Sequence, residues 1–350
     1  MKPLPRPNRI LVRGVNWVGD AVMSMPALQA LVRAFPQARI DVLARPWVAE
    51  LYAMQPGVNQ VLIIDEKEQH KGINGLRKLV KDLRAQSYDW AVLLQNAFKA
   101  AALAFAAGIP VRLGYNRDGR RFLLTHPVPC PPQIRKVHET AYYLNILFQT
   151  GLAPRPEARG QEPRLALSPQ AEQWAEDFLR HNGVDSQQLL GVSPGATFGP
   201  AKCWPAEHFA AAADALAAEH DMAMLIFGSQ QEGVVAGEVK KGLKGALKVI
   251  DLCGRTGLAQ ALALLARLNL LLSNDSGLMH ASAALGTPTL AIFGSTNPVT
   301  TSPLGPRVRI LRKPFECSPC LKPICPRGDM RCFQAITPQE VVAAANGLLA

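Results

Sequence analysis

The feature that most constrains this chain is an alternation that runs through it twice. Short apolar runs of β type lie near Arg9–Arg13, Arg39–Leu43, Val61–Ile64, Trp90–Leu94 and Val111–Gly114. Helical patterns separate them near Asp20–Phe35, Leu76–Ala85 and Phe98–Ala107. Strands joined by helices make a mostly parallel sheet covered on both faces. The pattern then breaks at LAPRPEARGQEPRLALSP, where Pro154, Pro156, Pro163 and Pro169 forbid a regular element. It restarts with runs near Leu189–Val192, Met222–Phe227, Lys248–Leu252, Leu270–Ser273 and Thr289–Phe293, and a helix near Pro205–Glu219. Two Rossmann-like domains in tandem follow, 1–165 and 166–350, with a last helix near Pro338–Leu349 that could pack in its own half or back on the first.

A chain of 350 residues with 48% hydrophobic and 19% charged residues can bury two cores, which excludes a disordered chain or a disulfide-stapled scaffold. No apolar run reaches the roughly 20 residues of a membrane span. The basic, Pro-rich start has too short an apolar segment for a secretory signal. Seven cysteines, four of them in one late cluster, suit a reducing compartment, so a cytoplasmic protein is expected. The charge is one-sided. Residues 1–165 carry 23 basic and 12 acidic side chains, and residues 166–350 carry 15 of each, so the whole net charge of +11 lies in the first half. An anionic partner is expected there.

Ligands of such sheets bind at the carboxyl ends of the strands, so the chemistry belongs in the loops that follow them. The first, Gly14-Val-Asn-Trp-Val-Gly19-Asp20-Ala21, has P-loop glycine spacing but puts Asp20-Ala21 where a phosphate site needs Lys-Ser/Thr. It also lacks the Gly-x-Gly-x-x-Gly dinucleotide fingerprint. Asp20 at a helix start is then either a cap or a general base. The loop Pro194-Gly-Ala-Thr-Phe-Gly-Pro-Ala-Lys202-Cys-Trp204-Pro205 offers backbone N–H groups and a lysine to an anion. Ser273-Asn-Asp275-Ser276-Gly277-Leu-Met-His280 reads as a phosphate or ribose cradle. It lacks the Gly-x-Ser-x-Gly elbow, which disfavours a Ser–His–Asp hydrolase, and His280 fits a core as well as a site. Glu232, after Phe227-Gly228, is placed to accept from ribose hydroxyls.

Trp17-Val-Gly-Asp20, Asn96-Ala-Phe-Lys99, Gly195-Ala-Thr-Phe-Gly-Pro-Ala-Lys202 with Trp204-Pro205, and Asn274-Asp-Ser-Gly-Leu-Met-His280 together resemble the ADP-heptose:lipopolysaccharide heptosyltransferases over nearly the whole chain. Within that family the chain is most similar to the members that add the second inner-core heptose. The resemblance implies an α/β GT-B fold, two Rossmann-like domains facing across a cleft, with the first taking acceptor and the second ADP-heptose. It implies an inverting transfer with Asp20 as base and Lys202 at the leaving diphosphate. Thr197, Glu232, Thr256, Asp275, Ser276, Gly277 and His280 join Lys202 in holding the donor. Asn16, Lys99, Arg117, Arg120 and Arg121 are the expected acceptor contacts. The implied acceptor is heptosyl-Kdo-lipid A at the cytoplasmic leaflet of the inner membrane, met by a peripherally associated monomer. No cofactor is expected, and with no Asp-x-Asp motif in this role no catalytic metal. Transfer at another core position, or donor binding without turnover, are the alternatives. A nucleic-acid module finds no motif and, at 6% aromatics, few stacking groups. Cys317-x2-Cys320-x4-Cys325-x6-Cys332 matches a structural zinc site in part.

Overall fold

The computed structural model describes residues 4–245 and 248–350, so the first three residues of the basic start lie outside the described residues. The chain divides into two compact units, 1–166 and 167–350.

In the first unit the order is β1 (Arg9–Arg13), α1 (Val18–Ala34), β2 (Arg39–Ala44), α2 (Pro46–Ala53), β3 (Val58–Ile63) and α3 (Gly72–Ala85). It continues with β4 (Trp90–Leu93), α4 (Phe98–Ala106), β5 (Val111–Tyr115), β6 (His126–Val128) and α5 (Glu139–Phe148). The strands form one parallel sheet in the order β3-β2-β1-β4-β5-β6. Leu11, Leu43, Ala91 and Leu93 share a core with Leu79 and Leu83 of α3 and Leu103 of α4. Side chains alternate along a strand, so the equally buried Ile10, Val12, Val42 and Val92 face the other way. There α1 packs against α2 and α5.

The second unit runs α6 (Pro169–His181), β7 (Gln188–Ser193), α7 (Ala206–His220), β8 (Met222–Ile226), α8 (Gly233–Gly242), β9 (Val249–Asp251) and α9 (Leu258–Leu265). Then come β10 (Leu270–Asn274), α10 (Gly277–Ala284), β11 (Thr289–Phe293), α11 (Pro298–Thr301), β12 (Val308–Arg312), α12 (Arg331–Gln334) and α13 (Pro338–Leu349). Its parallel sheet, β12-β11-β10-β7-β8-β9, repeats the topology of the first. The final helix, α13, is seated within this unit, on α7 and β10–β12. A capping box fixes its start, with Thr337 and Glu340 bonding each other's backbone N–H.

In both sheets the strand order reverses at the centre, between β1 and β4 and between β7 and β10. The carboxyl ends of those strands carry the loops singled out above, at the position where doubly wound sheets bind ligands.

Candidate active site

In the second unit one asparagine builds the cradle. Asn274, the fully buried last residue of β10, donates from Nδ2 to the Pro194 carbonyl (2.7 Å) and accepts at Oδ1 from the Trp204 N–H (3.0 Å). It thereby clamps both ends of the loop that carries Lys202. Trp204 anchors the far end, buried in the core with Nε1 donating to the Ile336 carbonyl (2.9 Å). Gly199 sits at φ +143°, and a Cβ there would lie 2.4 Å from the Pro323 carbonyl oxygen, so only glycine lets the chain pass. Ala201, two residues on, donates its N–H to that same carbonyl (3.0 Å).

Lys202 Nζ lies 2.7 Å from Asp275 Oδ2, and the Asp275 side chain is only 6% exposed. A buried carboxylate thus fixes the ammonium in one place. The same ammonium stands 5.2 Å from the ring centre of the exposed Phe198. Ser276 is the N-cap of α10 and its Oγ lies 3.1 Å from Ser273 Oγ. The first N–H groups of α10, from Gly277, present a partial positive charge beside the lysine.

Glu232 closes the cradle. Its carboxylate accepts from the Ser229 N–H (2.7 Å), and a Cβ on Gly195 would come within 2.6 Å of its Cγ. Gly195 therefore exists to let that side chain lie across the loop. Cys203 and Cys253 flank it. Burial, with Glu232 nearby, pushes the Cys203 thiol up to about 11. Burial and the Asp251 carboxylate push Cys253 up to about 12. Both are neutral at physiological pH and serve as packing. Thr197 is exposed on the loop, Thr256 is half-buried after β9, and His280 is buried on α10.

In the first unit Asp20 occupies the first turn of α1. The N-cap is Trp17, whose side chain makes no capping bond, so the cap position belongs to a different residue. The charge of Asp20 acts on Glu139, the first residue of α5, and on the buried Tyr52 and Tyr143. Burial, and next the Asp20 charge, push the Glu139 carboxyl up to about 7 against the opposing pull of Arg117. One turn on, Tyr142 Oη accepts from Asn96 Nδ2 (2.9 Å) and Arg117 Nη1 (3.3 Å). Asn96, Arg117, Tyr142 and Glu139 form one polar cluster with no signature in the sequence, because α5 shows no clear helical period.

The expected acceptor contacts separate. Arg121 is exposed, and Arg117 is half-buried and paired with Asp118 (3.3 Å). Lys99 is bonded to Glu66, and Asn16 Oδ1 accepts from Arg13 Nη2 (3.0 Å). Arg120 requires a correction. It is 0% exposed and spends its donors on the Tyr115 carbonyl (2.9 Å), the Gln95 carbonyl and Asn96 Oδ1 (3.2 Å), so it holds the loop rather than a ligand. Cys317, Cys320, Cys325 and Cys332 line one small cavity, but among the described residues no group of His, Cys, Asp or Glu side chains is gathered to hold a metal ion.

The model of the family described as Glycosyltransferase family 9 (heptosyltransferase) matches residues 76–330. Lipopolysaccharide heptosyltransferase 2 of Escherichia coli K12 is 32% identical, with 97% of this chain and 98% of that protein covered. Lipooligosaccharide heptosyltransferase 2 of Haemophilus ducreyi is 33% identical, with 98% and 99% covered. The solved structure of E. coli ADP-heptose lps heptosyltransferase II superposes with a TM-score of 0.81 at 32% identity, covering 97% of this chain and 98% of that one.

Proposed function

Since the chain belongs to glycosyltransferase family 9, the heptosyltransferases, it is a sugar-transferring enzyme, and we propose that it moves L-glycero-D-manno-heptose from ADP-heptose to the first heptose of the lipopolysaccharide inner core. The activity is of the heptosyltransferase 2 type, in a chain of GT-B fold. The second unit takes the donor and the first takes the acceptor. The observation that carries the donor assignment is the Lys202 ammonium, held in place by the Asp275 carboxylate at the amino end of α10, at the switch point of the sheet.

Departure of ADP builds negative charge on the diphosphate. Lys202 and the α10 N–H groups are pre-oriented to meet it, which lowers the barrier without reorganisation. Asp275 acts through Lys202 as a positioning residue. Thr197, Ser276 and Gly277 serve the phosphates, Glu232 the ribose and Thr256 the adenine, with His280 packed behind them. Asp20 takes the proton of the acceptor hydroxyl as its oxygen forms the bond to the anomeric carbon and the bond to ADP breaks. Attack opposite to the leaving group inverts the anomeric centre. No cofactor takes part.

The acceptor of this reading is heptosyl-Kdo-lipid A at the cytoplasmic leaflet, met by a peripherally bound monomer. Its carboxylates and phosphates match the +11 of the first half. Asn16, Lys99, Arg117 and Arg121 remain its proposed contacts. The test is heptose transfer to that acceptor followed by mass spectrometry. A gain of one heptose that Asp20→Asn abolishes while ADP binding persists supports the reading, and no transfer by a folded, ADP-binding wild type refutes the acceptor.

A further inference from the structure

Three phenylalanines of the first unit stand in solvent on one continuous face. Phe98 and Phe105 are seven residues apart on α4, two helical turns, and so share a side of it; they are 47% and 54% exposed. Phe122, in the turn Arg121–Leu123, is 74% exposed and its ring centre lies 6.1 Å from that of Phe98. Exposed large apolar groups gathered in this way mark an interaction surface.

The surroundings of the patch state its partner. Arg112 lies 5.2 Å over the Phe105 ring, and Arg121 adjoins Phe122. The neighbouring helix α3 shares a core with α4 and is tied to its end by Arg84 Nε donating to the Ala106 carbonyl (2.9 Å). Besides Arg84, α3 exposes Arg77, Lys78 and Lys81, with Asp82 its one acid. A second copy of the chain would bring the same basic face against this one and be repelled. The ring planes of Phe98 and Phe122 are tilted by 52°, which offers no flat platform to successive nucleic-acid bases. Apolar rings amid basic side chains fit the headgroup and upper acyl region of an anionic bilayer.

We propose that the outer face of α4 with the turn Arg121–Leu123, edged by the basic face of α3, docks on an anionic phospholipid surface. Phe98, Phe105 and Phe122 enter the interface, and the lysines and arginines of α3 hold the headgroups. Phe98 opens α4 just after the carboxyl end of β4, so one border of the docking face lies beside the end of the sheet assigned to the acceptor. The inference deepens the reading of a membrane-held acceptor and rests on it for its purpose. Its test uses neither donor nor acceptor, so its failure leaves the transfer reading standing.

The full chain is co-sedimented with vesicles of phosphatidylethanolamine and phosphatidylglycerol, and with phosphatidylcholine vesicles alone. Binding is expected to the anionic vesicles only and to weaken in 0.5 M salt. Lys78→Glu with Lys81→Glu should reduce it at least fivefold for each charge removed, since each basic residue near such a surface contributes about 1 kcal/mol, or about fivefold. Phe98→Ser with Phe122→Ser should reduce it at least tenfold, with an unchanged thermal midpoint and unchanged ADP binding. Ile324→Ser, an exposed apolar residue of the second unit, should change nothing. Absence of vesicle binding, or binding that survives the phenylalanine changes in a folded protein, overturns the proposal.

Discussion

A carboxylate that is to work as a base must hold a proton neither too weakly nor too tightly, and the charge of Asp20 is felt by a second carboxyl, that of Glu139. Glu139 is pushed up to about 7, by burial first and by Asp20 second. Below that pH it is neutral; above it, it places a second negative charge in the neighbourhood of Asp20. The turnover rate of the wild type should therefore rise through a limb near pH 7 that Glu139→Gln lacks, with the KM for ADP-heptose unchanged. Identical kcat profiles between pH 5.5 and 9 would remove Glu139 from the account. The same shift has a sign for stability. The unfolded chain loses this proton near 4.5 and the folded chain near 7, so stability falls as pH rises between them and stays low above. Glu139→Gln should accordingly be the more stable protein at pH 8, by up to about 3 kcal/mol, which urea titration measures. Asp20→Asn should leave the fold intact and slow transfer by about 100-fold or more, in the range of a lost general base, in a single-turnover assay.

At the scale of elements, the donor loop is long and almost free of regular structure, so its shape depends on ties at its ends. Asn274→Ala would leave the Pro194 carbonyl and the Trp204 N–H buried without partners, each costing about 1–3 kcal/mol. A lower thermal midpoint and a raised Kd for ADP should appear together, and if calorimetry finds ADP affinity unchanged, the clamp does not shape the site. Asn274 stands within a motif that the sequence displays openly, but its side-chain partners lie 70 and 80 residues away, and no local pattern carries that distance. The strands and the helices between them were legible because buried parallel strands are short apolar runs with helical periodicity between. What escaped did so for local reasons. Helix α2 starts at Pro46 straight after a strand and reads as a turn, and β6, three residues with a central proline, hardly has a pattern. The stretch ETAYYLNILF of α5 is aromatic and apolar on nearly every side because it is buried almost all round, which hides its period. With α5 unseen, Glu139 and Tyr142 could not be placed near Asp20. Arg120 looked like its exposed neighbour Arg121, and only the fold shows that one guanidinium points inward to three oxygens and the other to solvent.

For the whole molecule the organising fact is a shared topology with unshared charge. Two sheets of the same strand order come from halves that differ by 11 in net charge, so the fold does not require the excess. A charge that folding does not need tends to destabilise the compact state through self-repulsion, and it persists where a partner of opposite sign offsets it. The donor site uses another device: Lys202 and Asp275 are a local pair in a half whose net charge is zero, with the cation shielded by the fold and only 18% exposed. Salt should therefore act on the two substrates unequally. Screening reaches about 10 Å at 0.1 M ionic strength and shortens as salt rises, which weakens long-range attraction between the basic half and a polyanionic acceptor more than a short contact at a half-buried ammonium. Initial rates measured at 50 and 300 mM KCl should show the KM for heptosyl-Kdo-lipid A rising threefold or more while that for ADP-heptose changes by less than twofold. Equal changes in both would mean that the charge of the first half serves some other partner. A donor KM that alone responds would move the electrostatic contribution to Lys202 and leave the basic face of α3 and α4 to the bilayer by itself.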